Sequence, residues 1–174
     1  MRTRVLVLIA LAVTAVAITA PMVQKPPQLT GQMADAQFLV GTWEGEGWMM
    51  TPEGRHEATI REVITPKAGG TVLSLEGLGK DKKTGQVVHD AFGVLFIDPV
   101  SKSAKMRSFL ATGQGGEFNA TIKKGEITWF LTAGPREIRY TTSLDEKGQW
   151  HEVGEVKIEN QWMKVFEMTL KKVS

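Results

Sequence analysis

WMKVFEMTLKK, residues 162–172, decides the fold. Trp162, Lys164, Phe166, Met168 and Leu170 fall on one side of an extended chain; Glu167, Thr169 and Lys171 fall on the other. Successive side chains of a β-strand point to opposite faces, so this alternation marks a half-buried strand. The pattern recurs upstream. Phe118, Ala120 and Ile122 oppose Asn119 and Thr121, and Ile138, Tyr140, Thr142 and Leu144 oppose Arg139 and Thr141.

Outward from this segment the chain reads as strand, turn, strand. Ten strands are predicted, at residues 42–50, 55–65, 71–78, 87–97, 104–112, 117–122, 126–132, 137–144, 150–158 and 162–172. The connections are short and polar, such as KDKKTG at 80–85 and DEKG at 145–148. None is long enough for the crossover that parallel pairing requires, so the strands form antiparallel meanders. A run of about ten hairpin-linked strands curls into a barrel or splits into a sandwich. Gly45, Gly47, Gly77, Gly93 and Gly154 fall inside strands, where glycine marks bends at barrel corners. The expected fold is all-β, a single antiparallel up-and-down β-barrel. One short helical turn at 34–40, capped by Asp35, leads into it.

Before the barrel stand two other segments. Met1-Arg2-Thr3-Arg4 is a basic start, 5–18 is apolar apart from Thr14, and Ala15-Val16-Ala17 is a small-x-small cleavage signal. Residues 1–20 therefore read as a secretory signal peptide, which places the protein in the periplasm or outside the cell. Uncleaved, the same stretch would serve as a membrane anchor. Residues 21–37 are a polar, Pro-rich linker, and 38–174 are the barrel domain.

Composition excludes several functions. The 174 residues contain no cysteine, which removes disulfides, thiolate metal sites and thiol nucleophiles. Without Arg2 and Arg4 the nineteen remaining basic residues balance nineteen acidic ones. Nucleic-acid binding, which needs a basic face, is not expected.

Gly41-Thr42-Trp43-Glu44-Gly45-Glu46-Gly47 resembles the first strand of calycin-type (lipocalin-like) barrels, and especially of the haem-binding nitrobindin group. The phrases at 38–47, 69–79, 87–98, 138–155 and 166–170 also resemble a family of bacterial secreted proteins that has no assigned activity. The resemblance implies a small calycin-like barrel in which Gly41, Trp43, Gly45 and Gly47 are structural, with Trp43 plugging one end. Nitrobindins hold iron through a histidine on the last strand. Here Val165 occupies that position, Met163 and Met168 lie nearby, and no histidine follows His151, so haem is disfavoured and no cofactor is expected.

The histidines are His56, His89 and His151. His89-Asp90 and His151-Glu152 pair metal-ligand types, but neighbours on a strand face opposite ways, so no metal site is expected. No nucleophile motif such as G-x-S-x-G is present. The leading reading is a binding module whose lumen holds a small apolar or amphipathic molecule. Trp129, Tyr140 and Met106 would supply apolar wall, and Arg107 or Arg139 would anchor a polar head or pair with Glu76, Glu152 or Glu155. Met49 and Met50, with Trp48, mark an apolar rim. A small barrel enzyme using His89 or His151 with a glutamate is the alternative.

Overall fold

The computed structural model describes residues 28–174; the signal-peptide reading and residues 21–27 of the expected linker lie outside the described residues. All ten predicted strands form: β1 (Gly41–Thr51), β2 (Gly54–Lys67), β3 (Val72–Asp81), β4 (Val87–Ile97), β5 (Ala104–Leu110), β6 (Gly115–Lys123), β7 (Glu126–Ala133), β8 (Arg136–Leu144), β9 (Trp150–Ile158) and β10 (Gln161–Lys172). Each pairs antiparallel with its neighbours in sequence, and β1 pairs with β10 to close the barrel. Closure gives every described strand a neighbour on both sides, which removes the usual template for aggregation.

The helical turn is longer than expected. A 3-10 helix spans Gly31–Leu39, with Thr30 rather than Asp35 at its start. Three residues per turn put every third residue on one side. Met33, Ala36 and Leu39 accordingly form its buried stripe. The helix packs against β4, β6 and β7.

This helix and a layer of apolar side chains close one end of the barrel. Trp43, Ile64, Leu73, Leu95, Ile127, Trp150 and Leu170 are all buried there. Trp43 meets Trp150 edge to face, with ring centroids 5.9 Å apart. Its indole Nε1 donates to the Leu39 carbonyl at 2.7 Å, tying the barrel floor to the helix.

One expectation fails within the segment that revealed the fold. A bulge between Lys164 and Phe166 shifts the register of β10 against β9. Phe166, Met168 and Leu170 pair with Gly154, Glu152 and Trp150 on the inner face, whereas Trp162 and Lys164 pair with Lys157 and Glu155 on the outer face. A bulge adds one residue to one strand, so strict alternation cannot pass through it. Trp162 therefore lies outside, under the Arg139 guanidinium at 4.2 Å.

Candidate functional site

Above the packed floor the barrel is hollow. A cavity of about 380 Å³ opens between the β1–β2 and β3–β4 turns. Its apolar wall includes Met49, Ile60, Trp129, Tyr140, Phe166 and Met168. Trp129 and Tyr140 stack with centroids 4.3 Å apart, and Phe166 meets Tyr140 edge-on at 5.7 Å. Gly154 leaves room for the Tyr140 ring, since a β-carbon there would lie 2.7 Å from Tyr140 Cε1. Met49, Met50, Val87 and Val88 are exposed around the mouth, as the rim expectation required of the two methionines.

Two carboxyl groups reach this apolar space. Glu152 stands opposite Thr142 on β8 and Met168 on β10. Its Oε2 accepts from Thr142 Oγ1 at 2.5 Å and from the Trp150 indole at 3.3 Å. Burial pushes its pKa up, against those two hydrogen bonds. Glu62 stands between Ile60 and Ile64 on the inner face of β2, directly across from Gly77. Among the described residues no group hydrogen-bonds its carboxyl, and no sealed side-chain polar atom lacks a partner. The Glu62 oxygens are therefore reached from the cavity. Desolvation, reinforced by the nearby Glu152 charge, pushes the Glu62 pKa up to about 8. Tyr140, desolvated beside Glu152, is pushed up to about 12.

At the mouth, Glu57, Asp81, His56 and His89 line the cavity. Asp81 Oδ1 accepts from the backbone of Lys83 and Thr84 and so organises its own turn. Glu57 lies near Lys82, 3.7 Å away. Among the described residues no lysine or arginine lines the cavity.

Glu152, Tyr140 and Trp129 thus come together on one cavity wall. Met106 also points inward but belongs to the packed core near Gly93 rather than to the cavity wall. Arg107, Arg139 and Glu76 require correction: all three project from the outer surface. Arg107 is paired with Val94 and Glu117 and reaches Glu117 only at 4.0 Å. Arg139 pairs with Glu155 at 2.7 Å, one of the partners expected for it, but outside the barrel. Glu76 alternates with inward Leu75 and Gly77 and so faces solvent. The physical reason is the pleat: Met106 and Ser108 flank Arg107, Ile138 and Tyr140 flank Arg139, and those flanking residues take the inner positions. His151 is outside as well, 3.0 Å from Glu167, which Lys164 and His151 hold down at about 2. Glu62 is one of the charges that fall within strands and was not among the residues expected in the lumen, although its spacing from Ile60 and Ile64 places it on the buried face.

No protein-family model matches the chain, and neither does any curated protein. Among solved structures, the chain is similar to Rv2717c from M. tuberculosis, with a TM-score of 0.63 and 13% identity over 84% of this chain and 100% of that one. At that identity the likeness concerns the barrel fold alone.

Proposed function

We propose that this is an exported, calycin-like barrel that binds a small apolar or amphipathic molecule in its lumen. The observation that carries the reading is the cavity of about 380 Å³, closed at the Trp43 end, open at the other and walled mainly by aromatic and aliphatic side chains. Ligand sites are typically concave and mostly apolar, with a few convergent polar groups. Methionines at the wall and rim adapt to varied ligand shapes. The leader at residues 1–20 supports delivery to the periplasm or the medium.

The enzyme reading draws less support. Its His151–glutamate version would sit on the outer surface, on Glu167. His89 shares the cavity with Glu62 and Glu152, but no hydrogen bond couples it to either among the described residues. The test is thermal shift and native mass spectrometry of the full chain against neutral straight-chain and aromatic compounds. Saturable, one-to-one stabilisation is expected. Silence across the panel contradicts the reading.

A further inference from the structure

Below the mouth the lumen holds two carboxyl groups and, among the described residues, no lysine or arginine. Glu152 is fixed by Thr142 and Trp150, whereas the Glu62 carboxyl is desolvated on the inner face of β2, without a hydrogen-bond partner among the described residues, and opens to the cavity. A desolvated carboxyl with no partner is costly, and a protein retains it at little gain unless something complements it. The floor beneath is apolar and sealed, so the complement must enter from the mouth.

We infer that the lumen is built for an amphipathic amine, whose cationic nitrogen docks on Glu62 and Glu152 while its apolar body lies against Trp129, Tyr140 and Phe166. This rests on the proposal of a ligand-binding lumen and names the ligand class. A carboxylate-headed ligand would meet like charge and no arginine or lysine. A metal ion fits poorly, since among the described residues no cluster of three or more His, Asp or Glu side chains could hold one. An ammonium group instead offers three donors to two acceptor groups, in a site where charge-assisted hydrogen bonds are strong. The stacked Trp129–Tyr140 pair adds aromatic surface that favours a neighbouring cation.

The titratable groups sharing the cavity with Glu62 are Glu152 on β9, Tyr140 on β8 and, toward the mouth, His89 on β4, Asp81 on β3, and His56 and Glu57 on its own strand. At neutral pH the empty site keeps a proton on Glu62. Seating an ammonium favours the carboxylate, so binding expels that proton.

The experiment is calorimetry of the full chain with octylamine, octanol and octanoate at pH 7, in buffers of different ionisation enthalpy. Octylamine is expected to bind about tenfold or more tighter than octanol and to release close to one proton, and octanoate to bind weakest. Glu62→Gln, which keeps shape but cannot ionise, should retain octanol binding and lose both the amine preference and the proton release. Equal or tighter binding of octanol or octanoate, or an amine preference that survives Glu62→Gln, overturns the inference while the binding lumen stands. Failure of all three compounds overturns both.

Discussion

Gly77 stands directly across from Glu62 in the β2–β3 ladder, and a β-carbon added there would lie 2.6 Å from the Glu62 Oε1. The missing side chain is the space in which the carboxyl sits. The contact is with the end of a flexible side chain, so Gly77→Ala should fold and cost no more than about 1 kcal/mol. Gly45→Ala is different, because its β-carbon would fall on the Thr169 carbonyl in the seam that closes the barrel. That backbone cannot retreat without breaking β1–β10 pairing, and a loss of about 3 kcal/mol or more is expected. Denaturant unfolding of the two variants separates these outcomes; equal costs would contradict the packing described.

The buried carboxyl sets a pH dependence. Glu62 has a folded-state pKa of about 8 against an ordinary 4.5, so between those values only the folded chain holds the extra proton. Its contribution to stability is complete below about pH 4.5 and is lost as pH rises toward 8. Glu62→Gln removes the charge that causes the loss. The variant should gain on the wild type between pH 5 and pH 8.5 by roughly 1–3 kcal/mol, less than the full shift implies because the cavity admits water. Parallel stability curves for the two proteins would contradict this.

The floor depends on Trp43, buried against Trp150 and hydrogen-bonded to the Leu39 carbonyl. Trp43→Ala should cost about 3–5 kcal/mol, and Trp43→Phe, which loses chiefly the hydrogen bond, about 1–3 kcal/mol. Hydrogen exchange at the 3-10 helix should rise in both, since the link from barrel to helix is cut.

The exterior arginines should matter little to the lumen. Arg107→Ala should be nearly neutral, because its ion pair with Glu117 is long and half exposed. Arg139→Ala loses the Glu155 pair and the stacking on Trp162, about 1 kcal/mol together. Octanol affinity, measured by calorimetry, should be unchanged in both; a fall of tenfold would mean that an arginine reaches the cavity.

Strand number and direction were legible because alternation and short polar turns are local signals. Trp43 was legible from its motif. The bulge in β10 was not: nothing in Lys164-Val165-Phe166 announces an extra residue, yet it moves Trp162 to the surface. The arginines could have been placed, since Ile138, Tyr140, Met106 and Ser108 claim the inner positions beside them. A charge that interrupts an apolar run in a strand takes the outer side of the pleat, so such residues make poor lumen anchors. Glu62, by contrast, shares a face with Ile60 and Ile64. Its proximity to Glu152 is a property of closure, which brings β2 and β9 within range across β1 and β10, and no local pattern encodes it.

Ala58 lies on the cavity wall near the mouth, where a large side chain would fill the space rather than disturb the floor. Octanol should bind the wild type saturably and quench or shift the fluorescence of Trp129. In Ala58→Trp, with the β-sheet circular dichroism retained, octanol binding should fall at least about tenfold. A wild type that does not bind, or an Ala58→Trp variant that binds as well as the wild type, would contradict the claim that the barrel is a container.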